Sequence, residues 1–108
     1  MMSSTLPEPV ARLIAAANAG DTDAFLETFA ETGSVNDWGR IFTGRDAIRA
    51  WSDYEFIGVG VTLDITAEIT TRDHATVTAT VGGGGFNGQS HFSFTVKDGL
   101  IVDMAITG

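Results

Sequence analysis

The second half of this sequence alternates apolar and polar residues with a period of two. Every second residue is apolar in residues 61–71, and the alternation returns in residues 74–81, 90–96 and 100–107. Because successive side chains of a β-strand point to opposite faces, this pattern predicts four strands that each bury one face. The residues predicted on the buried face are Val61, Leu63, Ile65, Ala67, Ile69, Ala75, Val77, Ala79, Val81, Phe92, Phe94, Val96, Leu100, Val102, Met104 and Ile106.

Short turn sequences separate these four segments. They read "TRD" at residues 71–73, "FNG" at residues 86–88 and "KDG" at residues 97–99. Brief links of this kind are typical of β-hairpins. We therefore expect the four strands to form an antiparallel meander.

The first half of the chain carries helical periodicity instead. Residues 4–20, 21–31 and 44–56 place apolar side chains at helical spacing and are predicted as three helices. Residues 34–38 and 40–43 are predicted as short extended segments between the second and third helices. Helices that precede a meander predict an α+β fold, with the helices packed on one face of a curved sheet.

The ends of the first two helices are also marked in the sequence. Thr5 and Glu8 fit a capping box, and both prolines fall in the first turn, where a missing N–H group costs least. Gly20 predicts the end of this helix, and Asp21 can cap the next one.

Charge and composition limit the classes of function. The chain has 14 acidic residues against 6 basic ones, which argues against nucleic acid or an anionic membrane as a partner, because phosphate groups need a basic footprint. It has no cysteine and no apolar run of membrane-spanning length, and residues 1–10 lack the basic and apolar regions of a signal peptide. We expect residues 1–108 to form a single domain of a cytoplasmic protein.

Neither the histidines nor the glycine run indicates a cofactor. His74 lies in a predicted turn, and His91 has the strand parity of the outer sheet face. The two show no metal-ligand spacing, so no metal and no cofactor is expected. The "GGGG" at residues 82–85 lacks the lysine, serine and helix of a phosphate loop, and it predicts a bend, a close backbone approach or a flexible lip over a pocket.

The words "NAGDTDAFLETFAE", "VNDWG" and "FTGRDAIRAW", followed by the meander, resemble the SnoaL-like branch of the nuclear transport factor 2-like superfamily. The resemblance covers residues 7–107. It implies a cone: a bent, mainly antiparallel sheet with the three N-terminal helices on its concave face and an apolar pocket at one end. It also implies a small apolar organic ligand and a homodimer formed through the outer sheet face. The residues expected on that face are Thr66, Thr78, His91, Thr95, Ile101 and Ala105.

The same superfamily contains ketosteroid isomerases, whose catalytic positions can be compared one by one. Asp37 stands where the resemblance places the general base. Leu13 and Ser90 stand where a tyrosine and a protonated aspartate would stabilise the oxyanion. Because enolate stabilisation depends on such donors, isomerisation of steroids by that route is not expected.

Asp37 therefore has two interpretations. An acid between Asn36 and Trp38 near a glycine is commonly a turn residue, but Asp37 also shares strand parity with Val35 and can point inward. Inward, it would be the acid–base group of a cofactor-independent isomerase, cyclase or hydrolase. The predicted pocket residues around it are Leu13, Val35, Trp38, Arg40, Trp51, Ser90, Phe92 and Met104.

Several of these residues also have a structural interpretation. Trp38 and Trp51 could be core aromatics. Arg40 could pair with Asp37, bind an anionic ligand or form a surface ion pair with Asp53 or Glu55. The alternative function is a non-catalytic ligand-binding or interaction domain with a filled pocket. The residues that would fill it are Leu13, Trp51, Phe92, Phe94 and Met104.

Overall fold

The computed structural model describes residues 6–108, which fold as three α-helices and one six-stranded sheet. The strand order is β2-β1-β6-β5-β4-β3; β1 pairs with β6 in parallel, and the other neighbours are antiparallel. The predicted α+β fold and meander are confirmed. The elements are α1 (Glu8–Ala19), α2 (Thr22–Glu27), β1 (Phe29–Asp37), β2 (Arg40–Thr43), α3 (Arg45–Glu55), a 3-10 turn (Ile57–Val59), β3 (Thr62–Thr71), β4 (His74–Gly82), β5 (Gly88–Lys97) and β6 (Leu100–Thr107).

Within the described residues, the ends of the helices agree with the signals in the sequence. Gly20 ends α1 in the left-handed conformation with φ 70°, and the Asp21 side chain accepts a hydrogen bond from Ala24 N at 3.1 Å. The predicted capping box includes Thr5, which lies outside the described residues; Pro7 is the N-cap of α1. No helix in residues 6–108 is long and apolar enough to cross a membrane.

The "NAGD" word also joins α1 to the edge of the sheet. Asn18 donates from Nδ2 to Leu63 O at 3.0 Å and accepts from Leu63 N at 2.6 Å. Since β3 is an edge strand, its backbone groups need such partners.

The second helix is shorter than predicted. It ends at Glu27, and Phe29 already belongs to β1, although the sequence predicted helix as far as Glu31. Pairing across the sheet outweighs the helical pattern here: Phe29 pairs with Ile101, whose N–H donates to Thr28 O at 2.8 Å.

Two register shifts correct the predicted buried face. In β3 the register shifts between Ile65 and Ala67, and Ile69 beyond it is 69% exposed. Where β5 pairs with β6, Val96 lies opposite Ile101 whereas Thr95 lies opposite Asp103, which leaves Val102 as an extra residue. A bulge reverses the parity of the residues beyond it.

The consequences of the second bulge concern both sheet faces. Ile101 is fully buried rather than on the outer face, so its predicted place in a dimer interface is wrong. Leu100 and Val102 are only partly buried, against the prediction that both lie in the core. The remaining core lies between the helices and one face of the sheet. Its largest fully buried apolar side chains are Phe25, Phe29, Phe94, Leu13, Ile48, Ile101, Met104, Val10, Val35 and Val77.

Candidate functional site

A cavity of about 460 Å³ opens between α3, the 3-10 turn and the inner face of the sheet. Its floor is apolar, its charged groups come from the β1–β2 hairpin and the end of α3, and exposed aromatic side chains surround its mouth. The lining residues are Asp37, Trp38, Arg40, Trp51, Tyr54, Glu55, Phe56, Val59, Val61, Val81, Gly82, Gly84, Gly85, Phe86, Ser90, Phe92 and Ile106.

A tight hairpin brings Asp37 and Arg40 to the same side of the sheet. The two are register partners across β1 and β2, and Trp38 and Gly39 form the turn with φ 54° and 90°. Two positive φ values are the signature of a type I′ hairpin turn, which suits glycine but strains a bulky residue. Trp38 is thereby held at the mouth of the cavity, 58% exposed.

Both donors to Asp37 bind the same carboxylate oxygen. Trp51 Nε1 donates to Asp37 Oδ2 at 3.0 Å, and Arg40 Nη2 donates to it at 2.5 Å. Oδ1 accepts no hydrogen bond from any side chain or backbone group of residues 6–108. The Asp37 side chain is 14% exposed, so it is nearly buried yet retains one available oxygen at the cavity wall.

The Trp51 donor is fixed by aromatic packing. Its ring is 3% exposed, stacks on Phe56 at 4.9 Å and lies 6.2 Å from the ring of Phe42. Close packing against these two rings leaves the indole ring few alternative orientations.

Glu55 holds the other side of Arg40 through two hydrogen bonds. Arg40 Nη1 donates to Oε2 at 2.9 Å, and Nη2 donates to Oε1 at 2.6 Å. Hydrogen bonds from Arg40 hold the pKa of Glu55 below its ordinary value. The pKa of Arg40 is raised above its ordinary value, first by the hydrogen bonds to Glu55 and then by the negative charge of Asp37. Of the alternatives for Arg40, the structure thus shows pairing with both Asp37 and Glu55.

Ser90 is the polar group in the deeper part of the cavity lining. It is 2% exposed, and its hydroxyl has no hydrogen-bond partner among residues 6–108. This hydroxyl is therefore free to hydrogen-bond to a ligand in the cavity.

The glycine run packs closely against the 3-10 turn. Gly84 N donates to Val59 O at 2.7 Å, and a Cβ atom on Gly83 would lie 2.6 Å from Gly60 O. Asn87 Nδ2 also donates to Gly83 O and Gly85 O. The run is therefore a site of close backbone approach that forms one wall of the cavity.

The structure brings together only part of the predicted site. Asp37 shares the cavity with Trp38, Arg40, Trp51, Ser90 and Phe92. Leu13, Val35 and Met104 are fully buried in the core and do not line it. His91 lies on the opposite sheet face, as predicted, with Nδ1 3.0 Å from Thr78 Oγ1. No cluster of His, Cys, Asp and Glu in residues 6–108 is arranged to hold a metal ion.

Other lining residues were not among those predicted. Glu55 follows Trp51 by four residues on α3, a spacing that places two side chains on one helix face and could have indicated it. Phe86 directly follows the glycine run. The rest are Tyr54, Phe56, Val59, Val61, Val81 and Ile106. Gly82, Gly84 and Gly85 also line the cavity, and they belong to the glycine run for which a lip over a pocket was one expectation.

Comparison with known proteins decides the family. The sequence profile of the SnoaL-like domain matches residues 10–104. The chain belongs to the SnoaL-like family. No curated protein matches the chain.

Solved structures with the SnoaL-like fold resemble the whole chain. A candidate polyketide cyclase from Sinorhizobium meliloti is 31% identical, with a TM-score of 0.85, covering 99% of this chain and 100% of that one. A protein of ketosteroid isomerase-like fold from Catenulispora acidiphila, in complex with trimethylamine, is 25% identical, with a TM-score of 0.81, covering 96% and 87%. A candidate ketosteroid isomerase from Kribbella flavida is 16% identical, with a TM-score of 0.81, covering 93% and 74%, and shows the fold alone. The predicted SnoaL-like cone is confirmed.

Proposed function

We propose that this SnoaL-like protein is a cofactor-independent acid–base enzyme of the isomerase, cyclase or hydrolase type, and that its cavity binds a small, largely apolar organic molecule. One observation carries the proposal: Asp37 lines the cavity with Oδ2 held by two donors and Oδ1 left without a partner among residues 6–108. A carboxylate positioned in this way can accept a proton from a bound molecule and return it elsewhere on that molecule.

The neighbouring groups would position Asp37 rather than react. Trp51 and Arg40 fix Oδ2, so that the available oxygen keeps one orientation toward the cavity. Ser90 would offer a neutral donor to an oxygen atom of the substrate. A single hydroxyl stabilises developing negative charge less than a pair of strong donors, so we expect a substrate whose proton is already fairly acidic.

Two of the similar structures support a small organic ligand. The Sinorhizobium meliloti protein is a candidate polyketide cyclase, and the Catenulispora acidiphila protein holds trimethylamine. Polyketide cyclisation and related isomerisations both begin with proton transfer at carbon next to a carbonyl group.

A non-catalytic ligand-binding domain is the second candidate. It is favoured by Leu13, which lies in the core where ketosteroid isomerases carry an oxyanion donor, and by the ion pair that occupies Oδ2 of Asp37. In that case the cavity would bind the same class of molecule and leave it unchanged.

We also propose that the protein is a homodimer through the outer face of its sheet. Ile101 does not belong to this face, because it is buried in the core. The other residues predicted there are Thr66, Thr78, His91, Thr95 and Ala105. Four of these five are partly buried within the chain, and Thr66 is exposed. The exposed Ile69 adds apolar surface at the β3 edge of the same face.

The bicyclic ketone 2-tetralone tests binding and chemistry in one NMR sample. Both tryptophans line the cavity, so their two indole N–H signals report binding directly. In D₂O, loss of the protons next to the carbonyl reports proton abstraction. Binding with faster exchange than buffer alone supports the enzyme, binding without faster exchange supports the non-catalytic domain, and no movement of either signal contradicts both.

A further inference from the structure

We infer that the cavity selects an organic cation, an alkylammonium group held between the exposed aromatic rings of the mouth and the carboxylates of Asp37 and Glu55. This inference rests on the proposed binding function of the cavity and adds the chemical class of its ligand. Aromatic rings, local charge and a hydroxyl group without a partner in the chain support it separately.

The aromatic side chains of the mouth are largely exposed. Trp38, Tyr54 and Phe86 all line the cavity and are 58%, 82% and 54% exposed. None of the three stacks with another aromatic ring among residues 6–108. The face of an aromatic ring attracts a cation, and such rings around an opening are a usual means of recognising alkylammonium groups.

The charged lining residues favour a cation over an anion. Within residues 6–108, the charged lining residues are Asp37, Arg40 and Glu55, which together carry a net charge of −1. The Nη1 and Nη2 atoms of Arg40 already donate to the two carboxylates, so this guanidinium is poorly placed to bind an anionic ligand. Asp37 Oδ1, in contrast, has no partner among residues 6–108 and adds negative potential at the cavity wall. The chain's net charge of −8 attracts cations over a longer range.

Ser90 adds a hydroxyl group to the cavity lining. The residue is 2% exposed and its hydroxyl has no partner among the described residues, while the nearby lining residues Phe92, Val81 and Ile106 are apolar. A ligand with a cationic head and a hydroxyl or carbonyl oxygen would match both the mouth and this deeper group.

Choline and 3,3-dimethylbutan-1-ol test the inference, because they have nearly the same shape and differ in a charged nitrogen against a neutral carbon. The dissociation constant of each is measured from the indole N–H signals of Trp38 and Trp51, which are assigned with Trp38→Phe. We expect choline to bind about tenfold more tightly than the alcohol. Raising the salt concentration should weaken the binding of choline and leave the binding of the alcohol unchanged.

Two variants separate ring faces from charge. Tyr54→Leu keeps apolar area at an exposed position but removes a ring face, and Glu55→Gln removes one carboxylate. Each variant should weaken the binding of choline about threefold or more, while the affinity for the alcohol changes by less than about twofold. Glu31→Gln removes the same charge from an exposed position outside the lining and should change neither affinity.

The outcomes that overturn the inference differ from those that overturn the proposed function. If 2-tetralone binds but choline binds no better than the alcohol, the cavity is a binding site for neutral molecules and the inference is wrong. The same follows if Tyr54→Leu weakens both compounds equally. If none of the three compounds moves an indole signal, the proposed binding function fails as well.

Discussion

Asp37 and Arg40 face each other across the β1–β2 hairpin, and Arg40 Nη2 lies 2.5 Å from Asp37 Oδ2. The turn at Trp38 and Gly39 produces this pairing, since two residues between register partners return the chain to the same face of the sheet. Glu55 at the end of α3 holds Arg40 from the other side. The proposed acid–base residue is therefore joined through Arg40 to the end of α3, the helix that also supplies the Trp51 donor.

The first prediction concerns the pH dependence of stability in Glu55→Gln. The pKa of Glu55 in the folded chain lies below its ordinary value of 4.5, because Arg40 donates to its carboxylate. Ionised Glu55 therefore stabilises the folded state above about pH 4.5, and this contribution is lost as the pH falls through the lowered folded value. Urea unfolding of wild type and Glu55→Gln should give a difference in unfolding free energy that is present at pH 7 and shrinks below pH 4.5.

The control for this series is Glu31→Gln, in which the altered side chain is exposed and makes no ion pair among residues 6–108. Its difference from wild type should stay near zero at every pH. A Glu55→Gln difference that grows with acid would contradict the assigned pairing with Arg40.

A second prediction concerns the wall made by the glycine run. Gly83 has φ 116°, and an added Cβ atom would lie 2.6 Å from Gly60 O, so Gly83→Ala should lower the free energy of unfolding by about 1–3 kcal/mol. Displacement of this cavity wall should also weaken the binding of 2-tetralone. Gly20→Ala is the matched control, since Gly20 has φ 70° but open space around the added atom. Equal losses in the two variants would show that the contact with Gly60 contributes nothing.

How far the sequence predicts this fold can be judged from particular residues. Alternation in β4 and β5 predicted the buried faces of Val77 and Phe92, because packing against helices selects one side of a strand. The sequence does not indicate the bulge in β6. The residues of "LIVDMAIT" alternate between the two sheet faces almost as well without a bulge as with one. Phe29 was assigned to a helix because its strand partner, Ile101, is distant in sequence.

The candidate site was predictable only in part for a similar reason. Trp38, Arg40 and Asp37 are neighbours in the chain, so one hairpin brings them together. The cavity opens where α3 and the 3-10 turn stand away from the sheet, and this spacing depends on the packing of the whole core. Leu13 and Met104 are predicted in the pocket but are fully buried in the core and do not line it, because residue type does not report depth.

A third prediction is negligible isomerisation of 3-keto-Δ5 steroids. Leu13 is fully buried in the core, and Ser90 is a neutral hydroxyl, so neither supplies the strong donor that this reaction requires. An ultraviolet absorbance assay of the conjugated product measures the rate. Turnover close to that of authentic ketosteroid isomerases would show that other groups stabilise the enolate.

A fourth prediction concerns the oligomeric state. Light scattering at micromolar concentration should give twice the chain mass of 11.4 kDa. Ser93 lies in the middle of the outer face, opposite Thr76 and Ala105, so Ser93→Arg should yield the monomer mass. Ala50→Arg adds the same charge to an exposed position on α3 and should remain dimeric. A monomeric wild type, or a dimer that survives Ser93→Arg, would rule out this interface.

The most direct measurement of the central claim is the rate of deuterium exchange next to the carbonyl of 2-tetralone with wild type and with Asp37→Asn. The substitution keeps the shape of the side chain and removes its ability to accept the proton, while Trp51 can still donate to the remaining oxygen. We expect the acceleration over buffer to fall by about 100-fold or more, with binding of 2-tetralone retained. Equal acceleration by wild type and Asp37→Asn would contradict the claim that Asp37 is the acid–base group.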